Sequence, residues 1–296
     1  MTIHWFEQSM NDVPAEEAWL SVAESNHLRN LRFAKRRADW LLGRWTAKNA
    51  VATSLGLSVD CSSLAKIEIR PALSGAPQVF FKNEPALISI SLSHRNGVAL
   101  CALAAHGVLL GCDLEAVEPH SDGFAADYFS PEEQVLVRET LPSDRERMLS
   151  LLWSSKESAL KASGEGLRVD TREIVVSVPD VFEQQNQDAG SRSEWRSRCI
   201  RKLSRDNSWH PLQVRAASGQ ALHGWWSQTA ELIRTILAVP PPDPPTPLTR
   251  EQIIPVLREP DSGTRAKGPC WGAPTGTPGG TKEADVDEKA GRGSGG

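Results

Sequence analysis

The sequence has few of the residues that build disulfide frameworks, zinc sites or membrane spans. Five cysteines are scattered over 296 residues, and no two of them are spaced as CxxC. This scarcity favours reduced thiols in a cytoplasmic protein over a disulfide-rich or zinc-knuckle domain. No stretch approaches roughly 18 consecutive apolar residues, so we expect no membrane span. The first residues lack the basic and apolar regions of a secretory signal, so we expect a cytoplasmic protein.

Three common catalytic signatures are also missing from residues 1–239. Residues 1–239 contain neither a GxxxxGK[ST] phosphate loop nor a GxGxxG fingerprint, which excludes P-loop and Rossmann nucleotide sites there. A GxSxG nucleophile elbow is absent as well, so a Ser-His-Asp hydrolase has no support. The chemistry of this chain must therefore depend on a different arrangement of side chains.

Proline and glycine are unevenly distributed. Residues 240–296 hold 11 of the 20 prolines and 10 of the 22 glycines, far above ordinary usage. We therefore expect a folded body over residues 1–239, long enough to bury a sizeable core, and a disordered Pro/Gly-rich tail over residues 240–296. Truncation after Val239 is expected to leave the activity of the body intact.

Charge is segregated along the body, although the net charge of the whole chain is only −4. Seven basic residues and one acid lie between residues 28 and 48, whereas seven acids and no Lys or Arg lie between residues 111 and 133. If the basic and acidic patches lie side by side in the fold, they can hold a phosphate-rich ligand together with a divalent metal. The alternative is that each patch is an ordinary solvated face. The basic segment could also contact nucleic acid, but a body with 26 basic and 29 acidic residues does not favour that role.

The body shows two successive groups of helices and strands. In the first group, helices are expected from a cap at Asn11 or Asp12 and over residues 27–55, with Gly56 as the stop. The strands expected in this group are 3–7 at a sheet edge, 65–69, 78–81, 87–92, 97–104 and 108–114.

In the second group, Ser130 and Ser143 each precede a glutamate by three residues, a pattern typical of capping boxes. The second helix is expected to end at Gly164. Strands are then expected over residues 173–178, 195–202, 213–216, 221–226 and 232–239, with a polar loop over 184–193. The recurrence predicts an α+β body of two similar halves, 1–106 and 107–239.

An apolar run ends in the sequence Gly111-Cys112-Asp113-Leu114-Glu115. In a strand, Asp113 and Glu115 project from the same face, where two carboxylates repel each other unless a cation lies between them. Mg²⁺ favours such oxygen ligands together with substrate phosphates. Taken alone, the pair is better explained as two solvated acids at a strand end.

Two further motifs bear groups that can contact phosphate or metal. Trp153, Glu157 and Lys161 are spaced by four residues, so they share one face of the expected helix. For the helix taken alone, a surface ion pair between Glu157 and Lys161 is the simpler explanation of the spacing. Ser93 and His94 close another apolar run and can either donate to phosphate oxygens or form a turn.

In order, the motifs SxSH (91–94), GxDxE (111–115) and WxxKExxxK (153–161) resemble those of the 4′-phosphopantetheinyl transferase superfamily, in its longer, surfactin-synthetase-activating type. Residues 35–44 are similar to the family's basic helix. The resemblance covers residues 1–239. It implies a pseudo-dimer of two similar α+β subdomains with the active site between them. It also implies Mg²⁺-dependent transfer of 4′-phosphopantetheine from coenzyme A to a serine of an apo acyl or peptidyl carrier protein, releasing 3′,5′-ADP.

The resemblance implies a role for each residue that matches a motif. The C-terminal half would supply the catalytic residues Glu157 and Lys161, and the Mg²⁺ ligands would be Asp113, Glu115 and Glu157. Glu157 would also act as the general base for the carrier serine. The N-terminal half would bind the coenzyme A phosphates. The residues implied to bind coenzyme A are Arg36 or its alternative Arg37, Arg44, Gly75, Pro77, Ser93, His94 and, less directly, Lys156.

Three positions depart from the family pattern. Residues 75–77 resemble the family's GxP loop, and Ala76 stands where that loop often has lysine. Arg95 stands where serine often follows the SH pair and is expected to add a phosphate contact. Cys112 is expected to be a buried small side chain and not a nucleophile. A relative that binds coenzyme A or a carrier protein without transfer is the alternative function. Because all three acids are present, we expect an active, monomeric enzyme with no membrane or nucleic-acid partner.

Overall fold

The computed structural model of the chain describes residues 1–140, 142–164, 166–178, 208–229 and 231–249. The strand expected at 195–202, the loop expected at 184–193 and the tail expected beyond residue 249 lie outside these ranges. Within the described ranges, no helix has the length and apolar character needed to cross a membrane.

The first half of the chain contains three α-helices and six strands in the described residues. In chain order they are β1 (His4–Ser9), α1 (Val22–Asn30), α2 (Ala34–Ser54), α3 (Cys61–Leu64), β2 (Ile67–Pro71), β3 (Pro77–Phe81), β4 (Glu84–Pro85), β5 (Ile88–Arg95) and β6 (Val98–Ala105). A 3-10 helix, Met10–Asp12, follows β1.

The second half begins after the turn at Gly107 and has the same kinds of element. They are β7 (Leu109–Ala116), α4 (Phe124–Tyr128), α5 (Pro131–Glu139), α6 (Arg145–Ser163), β8 (Val175–Ser177), β9 (His210–Arg215), β10 (Ala221–Gln228), β11 (Leu232–Val239) and β12 (Thr246–Pro247). Short 3-10 helices lie at Pro142–Asp144, Gly166–Arg168 and Thr171–Glu173.

The strands form three sheets, and two of them pack face to face. The first sheet has the order β12-β1-β6-β5, the second has the order β7-β11-β10-β9-β8, and a small third sheet has the order β2-β3-β4. Alternate residues of β6 point to opposite sides, because side chains alternate along a strand. Leu100 and Ala102 join a core shared with β7 and β11, whereas Cys101 and Leu103 join a core shared with α2.

Each half therefore places one long helix on the outer face of a sheet. Helix α2 covers the first sheet, and α6 packs on β7 and β11 of the second sheet. The layers follow the order α2, first sheet, second sheet, α6. This arrangement confirms the predicted α+β class.

Gly111 allows α6 to lie directly on β7. A Cβ atom at this position would be 1.8 Å from the carbonyl oxygen of Ser158 and 2.7 Å from the backbone nitrogen of Ala162. No side chain fits in that space. The first residue of the GxDxE motif thus sets how closely the carboxylates of β7 approach the side chains of α6.

The helices near the N-terminus differ from the expectation. The helix expected over residues 27–55 is two helices, because Leu31 and Phe33 have extended backbones that separate α1 from α2. The cap expected at Asn11 or Asp12 begins no α-helix. Instead Ser21 caps α1, and its Oγ accepts a hydrogen bond from the Glu24 backbone N–H.

Only one of the two expected capping boxes forms. Ser130 and Glu133 cap α5 reciprocally, at 2.8 and 3.3 Å. Ser143 instead lies within a 3-10 helix, and the cap position of α6 is occupied by Asp144. Glu146 accepts hydrogen bonds from His120, so it is not available to complete a second box. The expected stop of α6 at Gly164, with φ of 69°, is present.

The folded body extends past Val239, where composition predicted its end. Thr246 and Pro247 pair in parallel with His4 and Trp5, so β1 is an inner strand of the first sheet and not its edge. Leu248 is buried in the core beneath α2. Residues 240–249 therefore belong to the body, and the expected boundary at 239 is wrong for these ten residues.

Candidate active site

Three carboxylates from β7 and α6 lie within electrostatic reach of one another. Asp113 and Glu115 share the face of β7 that α6 covers, and Glu157 lies on α6. Asp113 is buried and Glu115 and Glu157 are half-buried. Solvent therefore screens their mutual repulsion only in part.

Burial and this repulsion raise the pKa values of the two half-buried acids, Glu115 and Glu157. Burial, followed by the charge of Asp113, raises the pKa of Glu115 to about 7, against the opposing effect of Arg95. Burial and Asp113 also raise the pKa of Glu157 above its usual value. The three side chains therefore form a site that favours additional positive charge.

Lys161 supplies part of that charge. Its Nζ donates to Asp113 Oδ1 at 2.8 Å and to the carbonyl oxygen of Cys112 at 3.0 Å. Burial alone would lower the pKa of Lys161, but the nearby negative charges outweigh it and the pKa is raised. Ser93 on β5 donates to the same oxygen of Asp113 at 2.8 Å. The second oxygen, Asp113 Oδ2, is buried without a hydrogen-bond partner.

A cavity of about 390 Å³ opens next to these groups. Glu157 and Lys161 line one side, and Arg44 of α2 lines another. The turn between β2 and β3, residues 74–77, closes over it, with Gly75 at φ +88°, a conformation suited to glycine. The two halves of the chain thus contribute cations and carboxylates to one space.

Arg44 is held in place by the buried acid Glu24. Its Nε lies 3.9 Å from Glu24 Oε1, and its guanidinium lies 5.0 Å from the centroid of Trp40. Glu24 is also paired with Lys48, which is fully buried. The arginine is therefore fixed at its base while its outer end lines the cavity.

A sequence model of the 4′-phosphopantetheinyl transferase superfamily matches residues 109–212, the segment that supplies the carboxylates and Lys161. This segment of the chain is similar to that superfamily. The motifs read in order along the sequence and the site formed by β7 and α6 agree with that assignment.

Curated relatives carry the same family name. A 4′-phosphopantetheinyl transferase, HetI, of Nostoc sp. is 26% identical over 180 residues, which are 60% of this chain and 73% of the relative. A 4′-phosphopantetheinyl transferase of Bacillus subtilis is 26% identical over 141 residues, 47% of this chain and 58% of the relative. A Synechocystis sp. protein provisionally given the same activity is 26% identical over 203 residues, 67% and 80% of the two chains.

The fold brings most of the expected residues into two neighbouring groups. The cavity of about 390 Å³ is lined by Arg44, Gly75, Pro77, Glu157 and Lys161. A second cavity, of about 510 Å³, is lined by Arg36 and His94, together with Trp40 of α2. Both Arg36 and His94 are exposed, and neither side chain makes a hydrogen bond or ion pair with the described residues.

Two residues that were expected to bind coenzyme A, Lys156 and Ser93, contact other residues of the chain instead. Lys156 is fully buried on the opposite side of α6, where its Nζ lies 2.8 Å from Glu133 Oε2 and donates to the carbonyl oxygen of Thr171 at 2.7 Å. It does not line the cavity. The hydroxyl of Ser93 is committed to Asp113, which makes it a contact of a carboxylate instead of a phosphate.

Two arginines at the site have contacts that the sequence did not predict: Arg70 was not singled out, and Arg95 contacts carboxylates instead of the expected phosphate. Arg70 of β2 lines the main cavity while its guanidinium stacks on Phe80 at 4.1 Å. Arg95 lies beside Glu115, with Nε 3.5 Å from Oε2. The alternation of side chains along each strand could have predicted on which face of the sheet these arginines lie. It could not have predicted which residues they contact. Cys112 is buried, as expected, and burial raises the pKa of its thiol to about 11.

The donor set of the site fits a hard divalent cation. All three expected ligands are carboxylates, and the unpartnered Asp113 Oδ2 is a buried acceptor facing no donor of the described residues. Within those residues, however, no three acidic, histidine or cysteine side chains already enclose a metal-sized space. The carboxylates thus supply suitable chemistry without a preformed cage.

Proposed function

We propose that this chain transfers the 4′-phosphopantetheine group of coenzyme A to a serine hydroxyl of an apo acyl or peptidyl carrier protein. The reaction would depend on Mg²⁺ and release 3′,5′-ADP. The chain would act as a holo-carrier-protein synthase of the longer, surfactin-synthetase-activating type. The names of the relatives and the family match support the transferase class.

The observation that carries the proposal is the cavity that joins the two halves. On one side Arg44 is a cation suited to phosphate, and on the other Glu157 and Lys161 stand next to Asp113. Coenzyme A carries a pyrophosphate and a 3′-phosphate, so it needs several cations in one place. A carrier serine needs a nearby proton acceptor. The cavity offers both.

Each of the chain's own residues has a task in this reaction. Arg44, with Arg36 and His94 at the neighbouring cavity, would hold the phosphates of coenzyme A. Lys161 would contact the pyrophosphate, because its ammonium already lies at the junction between the cavity and Asp113. Arg70 is a further cation at the cavity wall, where Ala76 offers none.

Glu157 is the proposed general base. Its carboxylate lines the cavity, accepts no hydrogen bond from the described residues, and has a raised pKa, which makes it a better proton acceptor near neutral pH. The serine oxygen would form the new bond to the phosphorus of the phosphopantetheine group, and the bond to the bridging oxygen would break. The serine proton would pass to Glu157, and 3′,5′-ADP would leave with the bonding electrons.

Asp113, Glu115 and Glu157 would hold the divalent cation. When bound, Mg²⁺ would neutralise negative charge on the pyrophosphate as ADP leaves. Ser93 and Lys161 orient Asp113 through its Oδ1, which leaves Oδ2 available for such a contact.

The proposal is tested by incubating the full chain with coenzyme A, Mg²⁺ and a panel of apo carrier proteins, and measuring the carrier mass. We expect a gain of one phosphopantetheine group on at least one carrier, and its loss in the Glu157→Gln variant. The exposed Glu16→Gln variant is the matched control and should retain the gain. Coenzyme A binding without a mass gain on any carrier would support a non-catalytic binding module instead.

A further inference from the structure

Arg95 gives the carboxylate site an internal cation. Its guanidinium spans two acids: Nε lies 3.5 Å from Glu115 Oε2, and Nη2 donates to Glu118 Oε1. Nε is buried and makes no hydrogen bond to a described residue, so the contact with Glu115 is the looser of the two. The exposed contact with Glu118 anchors the side chain.

The same oxygen atoms cannot serve Arg95 and a metal equally well. Asp113 is already neutralised by Lys161, and Glu115 by Arg95, whereas Glu157 has no ion-pair partner in the described residues. A divalent ion ligated by Glu115 must therefore compete with the guanidinium for that carboxylate. Glu118 lies outside the proposed ligand set, so Arg95 can release Glu115 and keep one acidic partner.

We propose that Arg95 is a positioning residue that competes with the divalent cation for Glu115, so that it raises the metal concentration needed to fill the site. Glu118 assists metal binding by retaining Arg95 when Glu115 is released. This inference rests on the proposed metal site, and it concerns only how tightly that site holds its ion.

The test measures the binding of Mn²⁺ to the full chain without coenzyme A. The decrease of the paramagnetic resonance signal of free Mn²⁺ reports how much of the ion is bound. We expect the Arg95→Gln variant to bind Mn²⁺ about threefold to fivefold more tightly than the unchanged protein, the size expected for removing a partly exposed ion pair. Glu118→Gln should bind about twofold to threefold more weakly, because Arg95 then has only Glu115.

Two control variants separate the inference from the metal site itself. Arg172→Gln removes an exposed arginine that pairs with Asp170, away from the carboxylates, and should leave Mn²⁺ affinity unchanged. Asp113→Asn should abolish binding. Unchanged or weaker affinity in Arg95→Gln, with binding still lost in Asp113→Asn, would overturn the role of Arg95 alone. Binding that survives in Asp113→Asn would overturn the metal site and this inference together.

Discussion

The adjacent arginines Arg36 and Arg37 differ in whether their side chains already have hydrogen-bond partners. Arg37 donates to Glu17 Oε1 at 2.7 Å and to the carbonyl oxygen of Leu28 at 3.0 Å, so it holds α1 against α2. Arg36 is exposed and lines the cavity with His94. The structure therefore favours Arg36 as the ligand contact where the sequence left both open.

We expect Arg36→Ala to raise the KM for coenzyme A about tenfold, the size of one lost charged hydrogen bond, with little change in kcat. Arg37→Ala should leave the KM nearly unchanged and lower the melting temperature. Initial rates at saturating carrier protein, with coenzyme A varied, measure the first effect. If the Arg37→Ala variant shows the larger KM, the assignment must be reversed.

The raised pKa of Glu115 predicts a pH dependence of stability in protein treated with a chelator. The folded-state pKa is about 7 and the ordinary value is 4.5, so the folded state binds the proton more tightly. The contribution of Glu115 to the free energy of unfolding is fully present below about pH 4.5 and is lost as pH rises through about 7. We expect the loss to be roughly 2 kcal/mol after allowing for partial exposure. The difference between the unchanged protein and Glu115→Gln in urea unfolding, measured from pH 5 to 8, should show this decline. A flat difference would contradict it.

The position of the carboxylates could be predicted from the sequence, but the role of Lys156 could not. Strand alternation places Asp113 and Glu115 on one face, and helical spacing places Glu157 and Lys161 together, because both periods are local. Lys156 is directed by Glu133 on a different helix, and no local pattern reveals that pairing. The same holds for Arg95, whose partners lie beyond the turn that follows β6.

Among the elements, the contact between β7 and α6 depends most on a single residue. We expect Gly111→Ala to destabilise the protein by at least about 3 kcal/mol, because its Cβ would lie 1.8 Å from the Ser158 carbonyl oxygen. If α6 shifts to relieve the overlap, Glu157 and Lys161 move away from Asp113 and transfer is lost.

Gly43 provides a matched control within α2. A Cβ there meets nothing within 4 Å, so Gly43→Ala should stabilise the protein by up to about 1 kcal/mol through helix propensity. Urea unfolding of both variants, with the carrier-labelling assay in parallel, checks the pair. Equal stability of the two variants would show that the β7 and α6 contact tolerates a side chain.

Helix boundaries were less predictable than helix existence. The apolar spacing over residues 27–55 indicates helix on both sides of residues 31–33, and local propensity gives no reason for a break there. The break is stabilised by contacts distant in sequence, such as the bond from Arg37 to the Leu28 carbonyl oxygen. Gly164 was predictable because a left-handed residue ends a helix whatever lies around it.

For the whole molecule, the ten residues 240–249 change the expected effect of truncation. A chain ending at Val239 loses β12 and the buried Leu248, so we expect its melting temperature to fall by about 10 °C. A chain ending at Thr249 should melt like the full chain. Thermal unfolding followed by circular dichroism compares the three. If the chain that ends at Val239 melts at the same temperature as the other two, residues 240–249 contribute nothing to the stability of the fold.

Pairing of β12 with β1 also has a consequence for self-association. Without Thr246 and Pro247, the outer edge of β1 would present unpaired N–H and C=O groups to solvent, a template on which a second chain could add a strand. Proline has no N–H to offer, so a strand flanked by prolines is itself a poor template for further growth. The proline-rich segment after residue 239, whose composition predicted no structure, thus forms the outer edge of the first sheet. This edge resists the addition of a further strand from another chain.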